Sequence, residues 1–102
     1  MKTEELLNER EKTHGSFQQV SDISSALKSI IRENYPDSLK NRQKEALEAI
    51  CGKIARILSG DSNFKDHWDD IAGYAKLGIK KNAYEAHLDC IASLVGDITG
   101  GE

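Results

Sequence analysis

A chain of 102 residues with one proline is expected to form one domain, residues 1–102, and to leave no room for a second. Hydrophobic residues at 38% and charged residues at 30% fit a folded chain with a well-solvated surface and exclude a disordered one. The 14 basic and 17 acidic residues are interspersed, with a formal net charge of −3 and no basic block, so a nucleic-acid backbone is not the expected partner.

In chain order, residues 3–11 are rich in Glu and Leu and predict a short helix, interrupted by the loop Thr13, His14, Gly15, Ser16. This helix and loop, 1–15, form an N-terminal attachment, and Ser16 is the expected N-cap of the first long helix. From Phe17 the apolar positions Val20, Ile23, Leu27, Ile30 and Ile31 keep the three-and-four spacing of one helix face. That helix should end near Asn34, because Pro36 disfavours helical geometry in Tyr35.

Asp37 or Ser38 can cap the next helix, whose face is Leu47, Ile50, Cys51, Ile54, Ile57 and Leu58 and which Gly60 can end. After the loop Asp61, Ser62, Asn63, a third face runs Trp68, Ile71, Ala72, Tyr74, Ala75, Ile79, with Trp68 as its core anchor. Tyr84, His87, Leu88, Ile91, Leu94, Val95 and Ile98 line a last helix, with His87 as a core histidine and a frayed tail over 99–102. No stretch shows period-two alternation, so the expected class is all-α, a small bundle of four main helices joined by short loops.

Cys51 and Cys90 lie in separate helices with no C-x-x-C spacing, and both are expected as reduced, buried thiols of a cytoplasmic protein. The opening MKTEELLNEREK is charged throughout and no apolar run approaches the ~18 residues of a membrane span, so no membrane partner is expected. So short a chain buries limited apolar surface alone, which favours a homo-oligomer, a dimer or a tetramer.

At about 100° per residue, Asp66, Asp70, Gly73 and Leu77 share one stripe, distinct from the apolar face of the same helix. Glycine inside a helix costs ~1 kcal/mol against alanine, so Gly73 suggests that something approaches the helix closely. Two carboxylates one turn apart repel unless a divalent cation or a Lys or Arg lies opposite, and Mg²⁺, with Mn²⁺ as its substitute, fits oxygen ligands best. Acidic residues also favour a helix N-terminus for no functional reason, an equal explanation for Asp66 and Asp69.

The preceding helix carries Glu45 and Glu48, which can add metal ligands, and Lys53 and Arg56, which can grip phosphate oxygens. Either pair can equally form a solvated face. In the loop, His14 can donate to a ligand or close the turn, and Gly15 permits a backbone conformation barred to other residues.

Arg10-Glu-Lys-Thr-His14-Gly15-Ser-Phe17, Lys53-Ile-Ala-Arg56-Ile-Leu and His67-Trp-Asp-Asp70-Ile-Ala-Gly-Tyr74-Ala resemble a family of small phage and prophage proteins, over roughly residues 9–80. That family is in turn similar to the MazG-like all-α nucleoside triphosphate pyrophosphohydrolases, which bind magnesium through E-x-x-E on one helix and E-x-x-D on the next. The resemblance implies Glu45 and Glu48 as the first pair and Asp70 as the closing acid. Where that superfamily has its second glutamate this chain has His67, and Asp66 would substitute for it from the same stripe.

The implied reaction is hydrolysis of a nucleotide between its α and β phosphates, giving the monophosphate and pyrophosphate. Metal held by Glu45, Glu48, Asp66 and Asp70 would activate water, with Glu48, Asp66 and Asp70 as the catalytic acids and Lys53 or Arg56 on the phosphates. The alternative is a non-enzymatic helical module that binds a nucleotide or a protein, with Asp70 paired to Lys53 or Arg56.

Overall fold

The computed structural model describes residues 2–79 together with His87, Cys90 and Ile91. Every regular element among them is helical: α1 (Thr3–His14), α2 (Phe17–Glu33), α3 (Asn41–Ser59) and α4 (Lys65–Ile79). The expected last helix, apart from those three residues, and the expected frayed tail lie outside the described residues. No helix among the described residues is long and apolar enough to cross a membrane.

Local chemistry sets the boundaries. The hydroxyl of Ser16 accepts from the Gln19 N–H at 3.1 Å, the expected N-cap of α2, and Asn34 closes that helix ahead of Pro36. Helix α3 starts later than Asp37 or Ser38 would have it, at Asn41 after Lys40. There the Gln43 side chain accepts the Lys40 N–H at 3.0 Å, so a glutamine three residues in provides the stop for an otherwise unsatisfied donor. At its other end Gly60 terminates α3 as expected, its N–H donating to the Arg56 carbonyl at 2.9 Å.

Helix α3 is the centre of the fold: α4 packs along it most extensively, α2 next, and α1 touches it more lightly. Its buried line is Ala46, Cys51, Ala55 and Ile57, so small residues let the neighbouring helices approach closely. Two residues expected on that face, Leu47 and Leu58, are exposed, because burying Ala46 and Ala55 turns the contact stripe away from them. Arg42 reaches across to cap the far end of α4, donating to the carbonyls of Leu77 at 2.8 Å and Gly78.

Three expectations about single residues are corrected. Trp68 is 54% exposed and hangs over the α3–α4 loop, its indole N–H donating to the Ser62 carbonyl at 2.8 Å. The anchor of α4 is instead its neighbour His67, 1% exposed and the largest fully buried side chain among the described residues. Cys51 is buried as expected, and burial pushes its thiol up from the usual value, whereas Cys90 is exposed. His87, expected in the core, is exposed as well.

Candidate functional site

The α1–α2 loop meets the α3–α4 loop at the end of α3. Helix α1 runs on through Thr13 and His14, three residues beyond the expected end, because the Gly15 N–H closes its last turn on the Glu11 carbonyl at 2.9 Å. Gly15 is buried and adopts φ 81°, ψ 173°, a region open in practice to glycine alone. A Cβ there would overlap the Ser59 side chain, and one on Gly60 would sit 2.5 Å from the Thr13 carbonyl oxygen. Two glycines thus let two backbones meet.

The Thr13 carbonyl ties this joint together, accepting from the Asp61 N–H at 3.1 Å and from His67 Nε2 at 3.1 Å. Since a carbonyl can only accept, the ring proton of neutral His67 lies on Nε2. His14, Phe64 and His67 form a ring cluster, with His14 edge-on to His67 at 4.7 Å between centroids and Phe64 within 5.6 Å of both.

His14 is the one member of this cluster that also lines a cavity. The Thr13 hydroxyl donates to the Arg10 carbonyl at 3.3 Å and lies 2.5 Å from His14 Nδ1; in the neutral tautomer whose Nδ1–H donates to that hydroxyl, Nε2 is the unprotonated nitrogen. Burial, then the charges of Arg10, His67 and Arg56, hold the imidazole below its usual 6.5. It is neutral at pH 7.

The cavity lies between α1, α2 and the end of α3 and has a volume of about 380 Å³. Leu7, Phe17 and Val20 give it an apolar wall; Arg10 and Arg56 give it donors, neutral His14 an acceptor nitrogen, and Glu11 its carboxylate. Neither arginine forms an ion pair with another described residue. Two uncommitted guanidinium groups beside apolar surface suit an anion that carries an apolar body.

The carboxylates singled out in the sequence go elsewhere. Glu48 pairs with Arg32 and accepts from the Tyr35 hydroxyl at 2.9 Å, tying α3 to α2. Asp70 pairs with Lys53 at 2.8 Å, tying α4 to α3, while Glu45 and Asp66 are exposed. Among the described residues no group of three or more His, Cys, Asp or Glu is placed to hold a metal ion. Lys53 and Arg56, expected to act together on phosphate, take separate roles, Lys53 on Asp70 and Arg56 on the cavity.

No other described residue approaches Gly73: among the described residues nothing lies within 4 Å of where its Cβ would be. With Asp69, Asp70, Tyr74 and Leu77 it borders an open groove of about 260 Å³. Among the described residues, the close backbone approach that a glycine permits is found at Gly15 and Gly60.

The ionised groups give the fold an acid limit with a definite sign. The Arg32 guanidinium and then the Tyr35 hydroxyl hold Glu48 below its usual 4.5, and the Lys53 ammonium does the same for Asp70 below 3.8. His14 lies below 6.5. All three bind protons more readily unfolded than folded, so stability is full above the unfolded values and falls with pH through the folded ones. Urea midpoints measured from pH 8 to pH 3 should therefore decline in two stages, a first below about pH 6.5 that His14→Asn removes and a second below about pH 4.5 that Glu48→Gln flattens.

No protein-family model matches the chain, and in the comparisons with curated proteins and solved structures none matches it either.

Proposed function

We propose that this chain is a helical binding module for nucleotides and related organic phosphates, and that the cavity between α1, α2 and α3 is where they bind. The observation that carries the reading is the pair Arg10 and Arg56, free of ion pairs with described residues, lining one cavity with the neutral His14 and the apolar Leu7, Phe17 and Val20. The guanidinium groups take phosphate oxygens in forked hydrogen bonds, and Leu7, Phe17 and Val20 cover the base or another apolar part. For a ligand of roughly 20 non-hydrogen atoms, about 0.3 kcal/mol per atom corresponds to a Kd of tens of micromolar.

The direct test is calorimetric titration of nucleoside mono- and triphosphates into the chain in the presence of EDTA. Saturable binding without divalent cation is expected, and no binding by any of them sinks the reading.

A second reading is the metal-dependent one: a MazG-like, phage- or prophage-derived pyrophosphohydrolase using Mg²⁺ or Mn²⁺. It draws support from the open groove beside Asp70 and Gly73 and from the all-helical architecture. It requires Asp70 to leave Lys53 and Glu48 to leave Arg32 and Tyr35 before the four carboxylates can share an ion. Pyrophosphate release from a nucleoside triphosphate with Mg²⁺, lost in Asp70→Asn, would establish it over the binding module.

Self-association belongs to the same proposal. The buried aliphatic core of the described residues is small, while Leu6, Leu7, Ile30, Leu58 and Leu77 are more than half exposed and Phe17 is 85% exposed. A dimer or tetramer that covers part of this surface accounts for it, and sedimentation equilibrium measures its size.

A further inference from the structure

We propose that the cavity selects ligands ending in a dianionic phosphate over monoanionic ones of the same shape, and that each such ligand enters together with a proton that comes to rest on His14. The inference rests on the anion-binding reading above and adds to it the charge state of the ligand and the coupling to pH.

The argument is one of charge balance in a partly enclosed space. Arg10 and Arg56 contribute two positive charges and Glu11 one negative, so the lining carries a single net positive charge while His14 is neutral. A monoanion balances that charge with no further change. A dianion leaves one uncompensated negative charge, and the lining group whose ordinary titration range lies closest to neutral pH is the imidazole of His14, whose Nε2 is unprotonated when Nδ1 donates to Thr13.

The surroundings of His14 favour the change once an anion is present. From its own helix it faces Arg10 and Glu11, from α3 Arg56, and from α4 the edge of His67, beyond which Lys53 and Asp70 form a mutually cancelling pair. Helix α2 presents Phe17 and Val20 there, without charge. Burial, then Arg10, His67 and Arg56, keep His14 neutral in the empty cavity, and a phosphate on the arginines offsets their part of the field. The proton comes from solvent, no covalent bond changes, and the ring goes from one N–H donor to two, the second available to the ligand.

Phenyl phosphate and phenyl sulfate are matched probes: same ring, same tetrahedral head, a dianion and a monoanion at pH 7.5, since the second pKa of a phosphomonoester is about 6. Calorimetric titration of each, in EDTA and in two buffers of different ionisation enthalpy, reads both affinity and protons taken up. Expected are at least tenfold tighter binding of the phosphate and an uptake of more than half a proton per site for it, against almost none for the sulfate.

In parallel, the His14 ring proton followed by NMR should show its titration midpoint rise well past pH 7.5 when phenyl phosphate is saturating. His14→Asn, whose amide can keep the bond to Thr13, should abolish the uptake. Binding of both probes with equal affinity and no uptake overturns this inference and leaves the binding module standing. Uptake that persists with an unshifted His14 midpoint, meaning that the ligand takes the proton, overturns it too. Binding of neither overturns both.

Discussion

Replacing Gly15 with alanine is expected to cost roughly 3 kcal/mol of stability, which for a domain of about this size lowers the thermal midpoint by about 12–24 °C. Two independent costs add. The backbone at φ 81°, ψ 173° belongs to a region that residues with a Cβ occupy at a cost of about 1–3 kcal/mol. The new methyl group would also overlap Ser59, backbone as well as side chain, so relief requires α1 or the end of α3 to move. Such movement breaks the bonds that Asp61 and His67 make to the Thr13 carbonyl and opens the cavity. Gly73→Ala is the control: with no described residue near its Cβ and a helical backbone, it should leave the midpoint unchanged or raise it slightly. A melting curve of each variant decides it, and equal midpoints for Gly15→Ala and the parent chain would show that the two loops are not locked together.

Arg56→Met should separate binding from folding. The methionine keeps most of the apolar stem that covers the end of α3 and removes a charge that no described residue pairs with, so the thermal midpoint should stay close to that of the parent. A hydrogen bond to a charged group is worth about 1.5–3 kcal/mol, so losing the guanidinium should weaken nucleotide binding by roughly 10- to 100-fold in the EDTA titration. Arg10→Met should act in the same direction. Raising the salt concentration should weaken the parent more than either variant, since one fewer charge is there to be screened. An unchanged Kd in both variants would remove the cavity from consideration as the phosphate site.

Much of the framework was readable from residue types and spacing. The face of α2 follows from Val20, Ile23, Leu27 and Ile31, its cap from Ser16, and the all-helical class from the absence of alternation. What spacing could not give was the depth of each position. Leu47 and Leu58 have the right period yet lie outside, because alanines on an adjacent stripe permit closer contact, and period alone does not rank two stripes. Trp68 and His67 exchange roles for a related reason: the indole finds a carbonyl partner at the surface, while the imidazole finds one in the interior.

The candidate site was half legible. His14, Gly15 and Arg56 stand out in the sequence, but Arg10 joins them only once α1 is seen to continue through His14. Residues 10 and 14 then fall one turn apart on one face. Ending the helix at residue 11, as Thr13 and Gly15 invite, hides that pairing. The carboxylate stripe misled in the opposite way. Its spacing is equally suited to a metal or to a basic partner, and the choice depends on which residues α3 presents, here Lys53 for Asp70, and Arg32 and Tyr35 for Glu48.

Amide chemical-shift mapping with a nucleoside monophosphate, first in EDTA and then with excess Mg²⁺, tests the central claim most directly. A binding cavity between α1, α2 and α3 predicts metal-independent shifts concentrated at Arg10, His14, Gly15, Phe17 and Val20. Shifts that arise with Mg²⁺ alone and centre on Glu45, Asp66 and Asp70 would contradict it.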